Sequence, residues 1–361
     1  MKLLALDGNS LTYRAFFALP TDMATASGQV TNAVYGFCSM LTTLMKDQRP
    51  DGVVVVFDRK EPTFRHEAAP EYKAQREKQP DILYQQLDIV RELLEALGVA
   101  TLDLKGFEGD DLIATIVDRC ERDGNDVVIV TGDRDSYQLV RDPHVRVLYN
   151  KRGVSDYALY DEKGILERTG VTPAQYVDYA ALRGDPSDNL DGLPGVGEKT
   201  AAKLLNQYGT LQAIIAAADA QTPKLKAALL EHSDRVVRNA GLMKLRRDVP
   251  IDVDYARFVP TPDLGRTAQM FTTLEFKNMI TRVKEAFAPF LSEGSSSSEV
   301  ASPSEMSSEA VDVTIEQAKK PPKLVAGETV VLAGWTSRAA LGDARSEEHT
   351  SELQSLRHLV C

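Results

Sequence analysis

Cysteine, tryptophan and long apolar runs are all scarce in this chain of 361 residues. Its three cysteines, Cys38, Cys120 and Cys361, are odd in number and lack metal-ligand spacing. Such usage is typical of a reducing compartment, so we expect neither a disulfide nor a structural zinc site. The apolar runs, such as residues 53–57, are much shorter than a membrane span, so we expect no transmembrane segment.

The start of the chain lacks a secretory signal, and acidic residues outnumber basic ones, 53 to 42. The apolar run after Lys2 ends at Asp7, which is too short for the core of a signal peptide, so we expect a cytoplasmic protein. A net charge of −11 argues against a nucleic-acid partner, because phosphate binding usually requires a basic surface. That argument fails if carboxylates are gathered at one place to hold cations, since bound metal reverses the local charge.

Short apolar runs alternate with amphipathic stretches from residue 2 to about residue 150. This alternation predicts an α/β fold with a mostly parallel central sheet and helices on both faces. The strands are continuously apolar, which indicates burial on both faces. The predicted strands are 3–7, 53–58, 98–103 and 126–133, and the predicted helices are 30–46, 81–97 and 109–122.

Beyond the α/β pattern the sequence changes character more than once. From residue 172 it is helical, so we divide the chain into a core at 1–171 and a helical region at 172–290. Ser, Pro and Lys dominate 291–325, which predicts a flexible linker. Residues 326–344 resemble the truncated start of a following domain. Residues 345–355 resemble a translated sequencing adapter, so we expect 345–361 to be a non-native tail.

The carboxyl ends of the predicted strands are unusually acidic. In an open parallel sheet these ends border the ligand crevice, so acids that follow different strands should meet there. The start of the 109–122 helix and the stretch 182–205 add further acids to the set. The nine candidates are Asp7, Asp58, Glu108, Asp110, Asp111, Asp133, Asp135, Asp185 and Asp188.

Several of these acids have ordinary explanations when taken singly. Asp110 and Asp111 could complement a helix dipole, while Asp185 and Asp188 could be turn and cap residues. Together, nine acids would repel one another strongly unless cations balance them. Oxygen ligands without Cys or His favour Mg²⁺ or Mn²⁺. Two ions roughly 3.5–4 Å apart, clamping a phosphodiester, would use this many carboxylates.

Basic residues are concentrated just before the helix that begins at residue 81. Without the nine acids, residues 1–290 hold 33 acidic and 36 basic side chains, which allows a basic surface elsewhere. In the stretch EYKAQR, Lys73 and Arg76 would share a face if helical and could polarise a scissile phosphate. Tyr72 offers a ring on which a base could stack. The alternative is a solvated charged loop.

Six motifs occur in order between residues 1 and 288. They are LDGNSLTYRAFFALP, VVVVFDRKEPTFRHE, EYKAQR, FEGDDLIAT, VTGDRDSYQL and LRGDPSDNLDGLPGVGEKTA. Together they resemble the 5′-nuclease (flap endonuclease) superfamily, in particular the N-terminal 5′→3′ exonuclease domain of bacterial DNA polymerase I. The resemblance implies a PIN-like nuclease core and a helical arch near residues 60–85, through which a 5′ single strand passes. The chain departs from the family at Asp191, where proline is common.

The resemblance also implies a role for each charged residue. Arg14, Lys73 and Arg76 would steer and polarise the phosphate. The acids would divide between a first metal site, a second metal site and outer support. The first comprises Asp7, Asp58, Glu108 and Asp110, with Asp111 alongside; the second comprises Asp133, Asp135 and Asp188, supported by Asp185.

A helix–three-turn–helix near residues 190–206 is implied by LPGVGEKTAAKLL. Gly195 and Gly197 would let the backbone approach phosphate, and Lys199 and Thr200 begin a helix whose N-terminus favours anions. The family often holds K⁺ at this turn. The implied substrates are 5′-flap, nicked or gapped DNA and RNA primers on DNA, cut during replication and repair. The implied protein is a monomer in the bacterial cytoplasm whose natural chain continues into a polymerase region.

Three other functions compete with a two-metal nuclease. A P-loop enzyme would bind nucleotide through Lys199 and Thr200, but Glu198 stands where the P-loop lysine is required, and a helix precedes the loop. A small RNA-cleaving, toxin-like nuclease would have no use for the helical region. A non-catalytic DNA-binding module would not need nine clustered acids.

Overall fold

The computed structural model describes residues 1–291. The predicted linker, truncated domain and tail lie beyond that point, apart from one residue, and so outside the described part. Within residues 1–291, no helix combines the length and the apolar character needed to cross a membrane. Cys38 and Cys120 are buried free thiols, and Cys361 falls outside the described residues.

The described chain alternates strands and helices first and then becomes mainly helical. The strands are β1 (Lys2–Asp7), β2 (Gly52–Val56), β3 (Ala100–Leu102), β4 (Asp126–Thr131), β5 (Val145–Arg152), β6 (Asp156–Tyr160), β7 (Gly184–Asp185) and β8 (Leu190–Asp191). The α-helices are α1 (Gly8–Ala18), α2 (Asn32–Gln48), α3 (Phe64–Ala68), α4 (Asp81–Ala96), α5 (Gly109–Arg122), α6 (Glu162–Thr169), α7 (Tyr176–Arg183), α8 (Glu198–Tyr208), α9 (Leu211–Ala216), α10 (Pro223–Met243), α11 (Leu264–Thr273) and α12 (Met279–Ala286).

Six strands form one sheet in the order β3-β2-β1-β4-β5-β6. β1 pairs in parallel with β2 and β4, and the pairs β2–β3 and β4–β5 are also parallel. β6 is antiparallel to β5, because a hairpin turn joins the two. The predicted mostly parallel sheet is confirmed.

Alternate residues of the central strands pack on opposite faces of the sheet. On β1, Leu3 and Ala5 join one apolar cluster and Leu4 and Leu6 join the other, and all four are fully buried. The first cluster includes side chains of α5, α7 and α10, and the second includes side chains of α2, α4 and α12. Full burial of a leucine side chain stabilises the fold by about 1.5–3 kcal/mol. Because both faces are covered, a ligand can approach this sheet only at its strand ends.

The sheet grows in opposite directions on the two sides of β1. β2 and β3 are added on one side, and β4 and β5 on the other. At such a switch point the connections that leave the carboxyl ends diverge and open a crevice. Asp7 ends β1 and Asp133 follows β4 by two residues, so both border this crevice.

The helical region is joined to the crevice by the short β7–β8 hairpin. Gly184, with φ of 84°, and Gly192 lie so close that a Cβ on either would come within 2.4 Å of the other's backbone nitrogen. This close approach requires glycine at both positions. It holds the turn that carries Asp185 and Asp188 against the sheet, since α7, α8 and α10 share a core with α5.

Two parts of the core are not predicted by the sequence pattern. α1 contains glycine, asparagine, serine and threonine, which are poor helix formers, and it starts because the Asp7 carboxylate accepts the Ser10 N–H at 2.9 Å. β5 and β6 form a hairpin at the sheet edge, where charged residues interrupt the apolar positions. In contrast, the helix predicted at 109–122 has the bounds that the structure shows.

The segment 60–85 does not form the expected helical arch. Its helical parts are the five-residue α3 and the first turn of α4, and turns connect them. Pro70 and Pro80 lack the N–H that an interior helical position needs, and Lys73 adopts a left-handed backbone with φ of 54°. The segment nevertheless lies over the crevice, as its side-chain contacts show.

Candidate metal centre

Asp7 and Asp133 come from the adjacent parallel strands β1 and β4. The Oδ1 of Asp7 accepts the Ser10 N–H, and its Oδ2 accepts a hydrogen bond from the Thr131 hydroxyl at 2.8 Å. The Oδ1 of Asp133 accepts the Asp135 N–H at 2.8 Å. These local bonds hold the carboxylates at the switch point of the sheet.

Asp58, Glu108 and Asp110 border the crevice from the β2 side. Asp58 follows β2, and its Oδ1 accepts the Gly109 N–H at 2.7 Å. A Cβ on Gly109 would lie 3.3 Å from that oxygen, so a larger residue would crowd this contact. Glu108 precedes α5 and Asp110 lies in its first turn, so the helix start carries both acids to Asp58.

Asp185 and Asp188 are contributed by the helical region. The Oδ1 of Asp185 accepts the Ser187 N–H and hydroxyl at 2.9 and 2.6 Å, and Arg183 lies 3.6 Å from its Oδ2. Asp188 lies in the turn between β7 and β8 and is 8% exposed. Both carboxylates act electrostatically on Asp133, so the acids of the two halves face one crevice.

The segment 72–76 connects the two sides of the crevice. Tyr72 Oη lies 3.1 Å from Glu108 Oε2 and 3.0 Å from Asp188 Oδ2. Lys73 Nζ pairs with Glu108 Oε1 at 3.0 Å, and Arg76 Nη2 pairs with Asp188 Oδ1 at 2.8 Å. Burial alone would raise the pKa of Glu108, but Lys73 and a second nearby cation outweigh it, and the pKa is lowered. Lys73 and Arg76 therefore meet the carboxylates although their segment is not helical.

Carboxylates farther from these cations have raised pKa values. Burial, followed by the charge of Asp58, raises the pKa of Asp7 to about 7. Burial and the charge of Asp133 raise the pKa of Asp110 and of Asp135 well above the ordinary aspartate range. The crevice thus holds more negative charge than the chain's own cations neutralise.

The chemistry of these side chains fits hard divalent cations. Carboxylate oxygens without cysteine or histidine are the ligands of Mg²⁺ and Mn²⁺, and positive charge would relieve the repulsion that raises the pKa values. Among residues 1–291, however, no three carboxylate, imidazole or thiol groups already surround one point as ligands. Lys73 and Arg76 instead engage Glu108 and Asp188, so the carboxylates must converge to hold an ion.

Asp111 differs from the other eight acids and requires a correction. It is fully buried, and its two oxygens accept both terminal nitrogens of Arg65 at 2.6 and 2.8 Å. The backbone N–H groups of Glu108 and Arg246 also donate to it, at 3.1 and 2.9 Å. Because its oxygens are saturated, we remove Asp111 from the ligand set. Arg65, to which the sequence pattern assigns no role, also lies 3.5 Å from Glu108 and donates to the Leu242 carbonyl at 2.7 Å.

We expect Asp111→Asn to destabilise the fold by about 3–5 kcal/mol, since it leaves the buried Arg65 guanidinium without its anion. Chemical denaturation would measure the free energy of unfolding. Asp81→Asn is the matched control, because the Lys78–Asp81 pair is 76% and 78% exposed and screened by solvent, so its loss should leave the free energy of unfolding nearly unchanged. Equal losses from the two substitutions would contradict the structural role of Asp111.

Tyr72 and Arg14, both expected to contact the substrate, are engaged by other parts of the protein in the structure. Tyr72 is 3% exposed and His66 packs edge-on against its ring, so the expected stacking face is not presented to a base. Arg14 donates to the Asn150 carbonyl at 3.3 Å. A Cβ on Gly132 would lie 3.4 Å from an Arg14 nitrogen, which places the guanidinium beside the loop that carries Asp133.

The proposed DNA-contacting turn is open to solvent. Gly195 is exposed with φ of 80°, a left-handed conformation that favours glycine, and Gly197 is exposed with no neighbour within 4 Å of an added Cβ. Lys199 and Thr200 lie in the first turn of α8, with Lys199 exposed. Glu198 lies 3.5 Å from Arg134 of the core and 3.4 Å from Arg183 of α7 rather than in a nucleotide loop. A two-residue strand and a turn precede α8, not the strand that a P-loop requires.

The acid cluster predicts an unusual pH dependence of stability. The folded pKa of Asp7, about 7, exceeds the ordinary aspartate value of 3.8, so the folded state binds the extra proton. The resulting stabilisation is complete below pH 3.8 and is lost as pH rises through 7, by at most about 4 kcal/mol for Asp7. We expect the free energy of unfolding in chelator to fall between pH 5 and pH 8, and Asp7→Asn or added Mg²⁺ to reduce that fall. Stability that rises over this interval would contradict the clustered charge.

Comparison with protein families identifies matches over most of the described chain. The family model described as 5′-3′ exonuclease, N-terminal resolvase-like domain, matches residues 2–170. The model described as 5′-3′ exonuclease, C-terminal SAM fold, matches residues 171–263. The chain is 47% identical over 289 residues to DNA polymerase I of Mycobacterium tuberculosis, which covers 79% of this chain and 32% of that protein. It therefore spans about a third of the length of the curated relatives that it matches.

Two solved structures share the fold at low sequence identity. The T5 D15 protein co-crystallised with metal ions has a TM-score of 0.58 and 20% identity, with 80% of this chain and 99% of that chain covered. The catalytic core of Rad2 in complex with DNA substrate has a TM-score of 0.53 and 17% identity, with 81% and 92% covered. Both likenesses concern the architecture, because the identities are low.

Proposed function

The chain belongs to the 5′-3′ exonuclease family, and from that premise we propose that it is a metal-dependent, structure-specific 5′→3′ exonuclease and flap endonuclease. Its substrates would be phosphodiesters of DNA and of RNA primers. The observation that carries the proposal is the convergence of acids from both halves of the chain at the switch point of the sheet, beside Lys73 and Arg76. A structural protein would gain nothing from carboxylates whose pKa values are raised by crowding.

Eight acids would hold two or more Mg²⁺ or Mn²⁺ ions. Such ions polarise a phosphodiester and lower the pKa of water. The T5 D15 protein was crystallised with metal ions and the catalytic core of Rad2 with DNA substrate, which supports metal and DNA as ligands. The proposed first site comprises Asp7, Asp58, Glu108 and Asp110, and the second comprises Asp133, Asp135 and Asp188, with Asp185 in support.

The cations of the crevice would position the scissile phosphate. Lys73 and Arg76 now pair with Glu108 and Asp188, and each can exchange its carboxylate for a phosphate oxygen when metal neutralises the acids. Arg14, beside the loop that carries Asp133, would contact the same phosphate from the β4 side. These groups would donate hydrogen bonds where negative charge develops in the transition state.

Duplex DNA would contact the turn before α8. Gly195 and Gly197 leave the backbone N–H groups approachable, and the N-terminus of α8 with Lys199 and Thr200 favours a phosphate. A K⁺ ion at this turn is part of the proposal. Because the mycobacterial relative named above is DNA polymerase I, we propose a role in primer removal and repair, with this chain as part of a longer cytoplasmic protein that includes a polymerase region. We expect the chain to act as a monomer.

The proposal can be tested with a duplex that carries a labelled 5′ flap. In Mg²⁺ we expect cleavage near the junction, with release of the labelled flap and a 5′-phosphate on the remaining strand. The same duplex with a 3′ flap serves as the control and should not be cut at its flap. Turnover of ATP without cleavage of DNA would contradict the proposal and favour a nucleotide-binding enzyme.

A further inference from the structure

A cleft of about 560 Å³ opens between α3 and the chain that leaves the end of α10. Phe64 lines one side, and Lys244, Arg246 and Arg247 line the other, with Asp248 at its edge. We call it the basic cleft. It places three cations within four residues of a chain whose net charge is −11. The cleft is therefore locally positive although the chain as a whole is negative.

Two of these cations lack an anionic partner. Among residues 1–291, Lys244 and Arg246 are exposed and no carboxylate forms an ion pair with either side chain. Neighbouring arginines are paired by contrast: Arg238 with Glu71 at 2.7 Å, for example. Neighbouring unpaired cations repel one another and attract a polyanion. The two side chains therefore do not stabilise the fold by ion pairing, and the basic cleft is suited to bind an external negative charge.

The position of Arg246 is fixed by an aromatic ring. Its guanidinium lies 5.0 Å from the centroid of the Phe64 ring, a cation–π contact. A guanidinium held in this way combines a charge for a phosphate with a flat surface on which a base can stack. Burial, followed by the positive charge of Arg141, lowers the pKa of Arg247.

The basic cleft is separated from the acidic crevice by one side-chain layer. Arg65, the neighbour of Phe64 in sequence, reaches to 3.5 Å from Glu108. The turn at Gly195 lies elsewhere, beside Lys224 at the start of α10, with 3.8 Å from Lys224 Cε to a Cβ built on the glycine. α10 has 21 residues, so its two ends are about 30 Å apart. The proposed duplex contact and the basic cleft are therefore at opposite ends of one helix.

We propose that the basic cleft binds the phosphate backbone of single-stranded nucleic acid, the unpaired continuation of the strand whose phosphodiester lies in the acidic crevice. The proposal rests on the nuclease function proposed above. A cleft of this volume has no room for a duplex, whereas a single strand can lay one phosphate against Lys244 and the next against Arg246. Affinity would then depend on the unpaired strand, while the turn at Gly195 holds the duplex.

The test measures binding of two substrates over a series of salt concentrations. One is a duplex with a long 5′ flap and the other a nicked duplex without a flap, in Mg²⁺ and in an Asp110→Asn background that prevents cleavage. The variant is Lys244→Gln with Arg246→Gln, which leaves the Arg246 backbone bond to Asp111 intact. The control is Arg146→Gln with Arg257→Gln, two exposed cations on other parts of the surface.

We expect the cleft variant to reduce the slope of log affinity against log salt for the flapped duplex by about 1.4, since each phosphate contact to a single strand contributes about 0.7. At about 0.1 M salt this corresponds to roughly 25-fold weaker binding. The nicked duplex and the control variant should keep the original slope. An unchanged slope for the flapped duplex, or an equal reduction for both substrates, would overturn the assignment. Failure of the unsubstituted chain to cleave any 5′ flap in Mg²⁺ would contradict the proposed function instead, independently of these variants.

Discussion

Asp110→Asn should reduce the rate of phosphodiester cleavage by at least about 10³-fold while leaving the fold intact. Asp110 lies in the first turn of α5, and its pKa is raised by burial and by Asp133, so it is at the centre of the negative charge. Loss of this carboxylate removes a proposed metal ligand. Such a ligand contributes several kcal/mol to transition-state stabilisation, and roughly 4 kcal/mol corresponds to a factor of 10³ in rate. Single-turnover cleavage of a 5′-flap duplex in Mg²⁺ would measure the effect.

The matched control is Asp118→Asn on the same helix, where the carboxylate pairs with Arg122 and Arg141 away from the crevice. It should cleave at the rate of the unsubstituted chain. In chelator, Asp110→Asn should be at least as stable as the parent, because it removes a charge whose raised pKa marks it as unfavourable in the folded state. A variant that unfolds, or one that cleaves at an undiminished rate, would contradict the place of Asp110 in the metal centre.

Lys73→Met should lower the rate constant for cleavage by about 10²–10³-fold, the usual loss when one donor to a developing negative charge is removed. The structure pairs Lys73 with Glu108 and raises its pKa, through Glu108 and Asp188 against burial, so the ammonium keeps its proton at neutral pH. The loss should fall mainly on the rate constant at saturating substrate, since the phosphate gains charge in the transition state.

Lys78→Met provides the control for Lys73, because Lys78 belongs to the same segment but is 76% exposed and pairs only with Asp81 among the described residues. It should change salt dependence slightly and the rate at saturation very little. Equal effects of the two substitutions would indicate general attraction of DNA by the segment, and would contradict a specific contact between Lys73 and the scissile phosphate.

The sequence predicts the location of the site well because parallel strands deliver their carboxyl ends to one edge. Asp7, Asp58 and Asp133 follow β1, β2 and β4, and the strand order places these three strands side by side. The bounds of α5 are predicted to the residue, because a capping pattern and an amphipathic repeat coincide there. Local signals of this kind require no knowledge of distant contacts.

The different roles of Asp110 and Asp111 depend on such distant contacts. The two are neighbours in the first turn of α5, and either could complement the helix dipole or bind an ion. Only the placement of Arg65, 46 residues earlier in the chain, gives Asp111 a buried cation and leaves Asp110 to the crevice. The spacing of acidic residues alone cannot distinguish them.

The conformation of the segment 60–85 also could not be predicted from the sequence. The spacing of Lys73 and Arg76 is compatible with a helix, and the family resemblance implies an arch. Its prolines and the left-handed Lys73 instead produce turns that bring Tyr72 inward, where burial removes the stacking face. Which side of a turn faces the core depends on Glu108 and Asp188, which lie far from it in sequence.

The dependence of cleavage on divalent metal is the decisive property of the proposed metal centre. A 5′-flap duplex is incubated with the unsubstituted chain in excess chelator, and Mg²⁺ is then added in steps while the initial rate is recorded. With a metal centre in the acidic crevice, we expect no cleavage in chelator and a rate that rises with free Mg²⁺ until the crevice is saturated. Cleavage that continues undiminished in chelator would contradict the metal centre and the function proposed from it.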